Sequence, residues 1–159
     1  MGRRDEIGTR GEALFTAAIM NFCGRERPYF VSHFLGDKFQ TLDFIVELVG
    51  VEEAALYFFV QVRTTRRGYS KGGARLKVSL RKEAILRMRM YPAPTYLVGI
   101  DEVGKKAYIL SIDEGSQASI SGMPTKYELD CANLKKLWDE VNAYWESRDM
   151  RVRESVFSA

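Results

Sequence analysis

The chain has 159 residues, of which 46% are hydrophobic and 28% charged, with 4 prolines. That composition excludes disordered, collagen-like and coiled-coil chains and leaves room for a real core. No apolar run reaches the roughly 18 residues of a membrane span, and Met1-Gly2-Arg3-Arg4-Asp5-Glu6 lacks the apolar stretch of a secretory signal. The expectation is one domain over 1–159, cytoplasmic, without a membrane partner. The net charge of +3 is unevenly spread: from Arg63 to Arg89 ten Lys and Arg face only Glu83, a local +9 that leaves −6 elsewhere. Such segregation points to a polyanion, most often nucleic acid, against the plainer reading of a solvated loop and helix face.

In chain order, Leu14, Phe15, Ala18, Ile19 and Phe22 recur at helical spacing and predict a helix over Glu6–Phe22, ended by Gly24. Gly8 and Gly11 share the side of that stripe and would let another backbone approach. Three strands are expected at Tyr29–Phe34, Leu42–Val49 and Leu56–Thr64, rich in β-branched and aromatic residues. Gly68–Gly73 reads as a flexible loop. Ser79 is placed to cap a helix running to about Met90, stopped by Pro92 and Pro94, that exposes Arg81, Lys82, Arg87 and Arg89. Thr95–Ile100 and Lys106–Ile112 form a hairpin through Asp101–Gly104. Leu134, Leu137, Trp138, Val141 and Trp145 mark a last helix, with both tryptophans as core anchors. Cys23 and Cys131 fall within expected helices without CxxC spacing and read as reduced core thiols, not zinc ligands. The order of elements fits a mixed α/β sheet flanked by helices.

Alternation places Asp43, Ile45 and Glu47 on one face of the second strand, and Phe59, Gln61 and Arg63 on one face of the third. A buried amide without partners costs about 1–3 kcal/mol, so Gln61 must be bonded, coordinated or exposed. If the two strands pair, Asp43, Gln61 and Arg63 converge. A carboxylate and an amide oxygen are hard ligands for Mg²⁺, and a neighbouring guanidinium would stabilise an attacked phosphate. Glu12, on the shoulder of the first helix's stripe, would point to the same spot. His33 reads as a structural residue and Tyr69 as a surface tyrosine or a stacking ring.

Arg10-Gly11-Glu12, Leu42-Asp43-Phe44-Ile45-Val46-Glu47 and Phe59-Val60-Gln61-Val62-Arg63-Thr64-Thr65 resemble the family called domain of unknown function 4365. That family is similar to the PD-(D/E)XK nuclease superfamily, and the resemblance spans roughly residues 6–112. It implies a restriction-endonuclease-like α-β-β-β-α-β core, here with an extra strand and a C-terminal helix. It also implies Mg²⁺ held by Asp43 and Gln61, with Glu12 completing the site and Arg63 on the scissile phosphate. Arg63 stands where the superfamily has lysine. Arginine keeps its charge and grips phosphate with two donors, so phosphate binding should survive the exchange better than water activation. Lys71 or Lys77 would be the nearest replacement ammonium.

Three readings follow. The first is a nucleic-acid-binding protein that cleaves phosphodiesters with Mg²⁺ and grips DNA or RNA through Arg66, Arg67, Lys71, Arg75 and Lys77. The second binds nucleic acid without cutting. The third is a protein-interaction domain for an acidic partner. A homodimer is the arrangement common among nucleases that cut both strands.

Overall fold

Asp5 and Glu6 place negative charge in the first turn of α1 (Arg3–Ile19), and Asp5 accepts a hydrogen bond from the Gly2 amide at 3.1 Å. Acids at that end complement the helix dipole, so the helix starts earlier than its apolar stripe. The structure, a computed structural model, describes residues 2–148 and 154–158. At its other end α1 stops a turn short of Phe22. There the chain reverses through Cys23 and Gly24, both with positive φ, and Cys23 is disulfide-bonded to Cys131. The expectation of reduced thiols is thus overturned: a sequence separation of 108 residues hid a Cα–Cα distance of 5.7 Å.

Strands β1 (Phe30–Phe34), β2 (Phe44–Leu48) and β3 (Tyr57–Thr65) pair antiparallel, with Phe34 opposite Phe44 and Phe44 opposite Val60. Between β3 and β6 (Thr95–Asp101) lie two short strands, β4 (Tyr69–Ser70) and β5 (Arg75–Leu76), and the helix α2 (Lys82–Arg89). Strand β6 runs parallel to β3 with Gln61 opposite Leu97, and the expected hairpin brings β7 (Lys106–Ser111) back antiparallel. The mixed five-stranded sheet has the order β1-β2-β3-β6-β7.

Alternation divides the core between its faces. Phe15 and Ile19 of α1 and Leu134, Leu137 and Val141 of α3 (Cys131–Glu146) bury Phe44, Val46, Phe58, Val60, Val98 and Ile100. Ile85 and Met88 of α2 pack in a second cluster with Leu76, Leu97 and Met123.

The loop expected at Gly68–Gly73 is partly ordered. Strands β4 and β5 form a hairpin around a 3₁₀ turn at Lys71–Gly73, and β8 (Met123–Pro124) completes a second, three-stranded sheet. Ser79 does not cap α2, because Leu80 and Ile120 exchange backbone hydrogen bonds and hold that stretch extended; the cap position falls to Arg81. Helix α3 opens at Cys131 because the side chain of Asp130 accepts the Asn133 amide at 2.9 Å. Its tryptophans are anchors as expected: Trp138 donates to the Val49 carbonyl at 3.0 Å and Trp145 to the Tyr57 carbonyl at 2.8 Å. Among the described residues no helix is long and apolar enough to cross a membrane.

Candidate functional site

Asp43 precedes β2, where regular alternation breaks. Leu42 is buried in the α2-side cluster and Phe44 in the opposite one, with Thr41 at φ 71° making the turn. The Asp43 amide donates to Val60 and its carbonyl accepts from Leu35, at 2.9 and 2.8 Å. Beyond this point β3 has lost β2 on this edge, while β6 stays paired on the other. The next β3 amide, Val62, donates to Asp43 Oδ2 at 2.7 Å, so the carboxylate occupies the place of a missing strand carbonyl. Burial raises the Asp43 pKa above its ordinary value, and the Asp37 charge adds to that; the Val62 amide and the Arg63 guanidinium oppose it.

Glu12 arrives from α1 because Gly11 permits it. A Cβ at Gly11 would lie 1.7 Å from Thr64 Oγ1, so helix and strand are in direct contact there. Gly8, expected to share that role, faces open space. The Glu12 pKa is raised by partial burial and then by the charges of Asp43 and Asp37. The Asp43 charge acts on Glu12 and the Arg63 guanidinium on Asp43, and Glu12 and Arg63 line one groove, so these three side chains lie near one another at one end of the β2–β3 hairpin.

Gln61 is 6% exposed on β3, and among the described residues its Oε1 has no hydrogen-bond partner. An oxygen so placed lacks the donor that burial normally demands. No hydrogen bond joins it to Asp43, Glu12 or Arg63. Among the described residues no three His, Cys, Asp or Glu side chains gather closely enough to hold a metal ion. A metal here would need the Gln61 amide oxygen in place of a third acid.

Arg63 is exposed and lines a groove of about 440 Å³ between α1 and the end of β3, together with Glu12, Arg66 and Arg67. Arg66 is partly engaged: Glu102, only 11% exposed, binds it at 3.1 Å and also binds Arg10 at 3.1 Å. The remaining expected contacts lie elsewhere. Lys71 and Arg75 line a separate groove beside Gly122, whose carbonyl accepts from Arg75 at 3.3 Å, while Lys77 is exposed on neither. On α2, Arg81, Lys82 and Arg87 are exposed, but Arg89 donates to the carbonyls of Asp113 and Ser116 and is not a free cation.

Tyr69 is half-buried, with its hydroxyl engaged by protein groups. Its hydroxyl bonds Asp101 at 2.8 Å and Tyr108 at 3.0 Å, and burial with those bonds pushes its pKa up. His33 lies exposed on the edge strand, 3.3 Å from Glu47. Two residues were missed. Asp37 carried no assigned role, although a second acid six positions before Asp43 was a signal. Glu102 read as a hairpin residue and carried no signal at all.

Glu12, Asp43 and Arg63 offer two carboxylates with raised proton affinity and a guanidinium lining a basic groove, with a third acid nearby, and the unpartnered Gln61 amide oxygen lies on the adjoining stretch of β3. Those are the means to hold a hard cation, accept a proton and grip a phosphate. No protein-family model, curated protein or solved structure matches the chain.

Proposed function

We propose that the chain is a nucleic-acid-binding domain of restriction-endonuclease-like architecture with a Mg²⁺-dependent phosphodiester-cleaving site at the open end of the β2–β3 hairpin. The order α1, three antiparallel strands, α2 and a β6 strand parallel to β3 supports that architecture. The observation that carries the function is the meeting of Glu12, Asp43 and Arg63 at that end. The unpartnered Gln61 Oε1 fits a divalent cation, and so does the negative charge that Asp37 and Asp43 bring to bear on Glu12, and Asp37 on Asp43. Asp43 and Gln61 would hold Mg²⁺, with Glu12 completing the site. Bound there, Mg²⁺ would supply positive charge for a phosphate oxygen and lower the pKa of a water molecule.

The chain's own groups do the rest. Glu12, with its raised pKa, accepts a proton more readily than an exposed glutamate. The Arg63 fork grips two non-bridging phosphate oxygens, and Arg67 extends the positive groove along the backbone. A second reading, binding without cleavage, is favoured by Arg63 itself, which cannot lose its proton and act as a base.

The test incubates the protein with single- and double-stranded DNA and RNA, with Mg²⁺ or with chelator. Cleavage that needs Mg²⁺ and disappears in Asp43→Ala supports the first reading. Binding without cleavage, with cutting gained by Arg63→Lys, supports the second. Either reading requires affinity to fall steeply with salt as counterions are released. A flat salt dependence, or no binding, contradicts both.

A further inference from the structure

We propose that the strand bound at this site is unpaired, and that Phe34 and Phe39 are the platforms on which its bases stack; this rests on the nucleic-acid reading above. Both rings are among the large apolar side chains left in water, 53% and 41% exposed. They flank a segment whose Leu35 amide donates to the Asp43 carbonyl at 2.8 Å, so the ring-bearing loop is the loop that adjoins the site.

Each ring is supported from beneath. Phe34 closes β1 opposite Phe44 with ring centroids 5.4 Å apart, and Phe44 lies 4.7 Å from Phe15, one turn beyond Glu12. Phe39 stacks on Tyr91 at 6.5 Å, and Tyr91 lies 5.1 Å from Phe59, which shares a strand face with Gln61. Two chains of packed aromatics thus run from the site's own elements to rings with one side open.

The chemistry selects the partner. In a duplex both faces of a base are covered by its neighbours, so an exposed protein ring has nothing to stack on; an unpaired strand offers every base face. The groove lined by Arg63, Arg66 and Arg67 supplies the sequence-independent phosphate contact such a strand needs.

The test measures fluorescence anisotropy in chelator, at low salt, with three labelled probes of about 12 nucleotides: oligo-dT, the same backbone without bases, and a blunt hairpin duplex. Oligo-dT should bind roughly tenfold or more tightly than the abasic strand and the duplex. Phe34→Ala/Phe39→Ala, checked for folding by its melting curve, should remove that advantage and leave abasic binding unchanged. Phe34→Trp should keep the affinity, with its added fluorescence quenched by oligo-dT and not by the abasic strand. Equal affinity for the three probes with a steep salt dependence overturns the stacking proposal and leaves nucleic-acid binding standing. Binding of none overturns both. A dimer that Phe34→Ala dissociates, with oligo-dT affinity unchanged, assigns the ring to a second copy and overturns it too.

Discussion

The two ends of the β2–β3 hairpin are built on opposite terms. At the turn end, Trp138 and Trp145 donate to the carbonyls of Val49 and Tyr57, and these backbone acceptors are satisfied by rings that also fill the core. At the open end, burial raises the proton affinity of Glu12 and Asp43, the Asp37 charge adds to both, and the oxygen of a buried amide has no donor. An unpaired buried acceptor costs about 1–3 kcal/mol, which a fold built only for stability would avoid. The contrast supports the proposed site: one end holds the hairpin, and the other carries polar groups that the fold leaves partly unmatched.

The comparison can be broken first at its stabilising side. The Cys23–Cys131 bond ties the end of α1 to the start of α3 across 108 residues, a closure worth about 4–5 kcal/mol in chain entropy. Cys23→Ser/Cys131→Ser should lower the melting temperature by roughly 10 °C without changing affinity for nucleic acid. A variant as stable as the parent would show that the bond does not hold this end. Next in size is Gly11→Ala. Alanine gains about 1 kcal/mol of helix propensity, but its overlap with Thr64 costs up to about 3 kcal/mol. A net loss of about 2 kcal/mol should appear in denaturant titration, partly recovered by adding Thr64→Ala.

Gln61→Leu sharpens the contrast, because it removes the unpartnered oxygen at similar volume. Stability should rise by about 1 kcal/mol while any response to divalent cations disappears; a loss of stability would mark Gln61 as an ordinary structural amide.

The smallest effect is a pH slope. Asp43 and Glu12 have folded pKa values above their unfolded ones, so between those values the folded state binds more protons. Their penalty is absent below about pH 4 and develops as pH rises through the folded values. Asp43→Asn, which keeps an acceptor for the Val62 amide, should therefore gain stability over the parent as pH rises from 4 to 7. Melting curves at both ends of that range read the gain, and a constant offset would deny the unfavourable charge.

Much of this contrast was legible in the sequence where the signal was local. The polar break in Phe58–Val62 pointed to Gln61, and Gly11 announced a close approach by lacking a side chain, whereas Asp43 sits just before β2 where the expected alternation breaks. Long-range closures were not legible. The second sheet depends on two-residue strands, with Arg75 opposite Pro124, too short to show a period. The cysteine pair had no spacing signature, and Glu102 is defined only by two arginines from distant elements. Asp37 looked like any acid in a turn until the loop folded it towards Glu12.

The central claim, that the open end of the hairpin takes up a divalent cation, is tested most directly by titrating Mn²⁺ into the protein by calorimetry. The account predicts a single ion per chain, lost in Asp43→Asn and in Gln61→Leu and retained in Cys23→Ser/Cys131→Ser. No uptake by the parent chain, or uptake undiminished in Asp43→Asn, would contradict it.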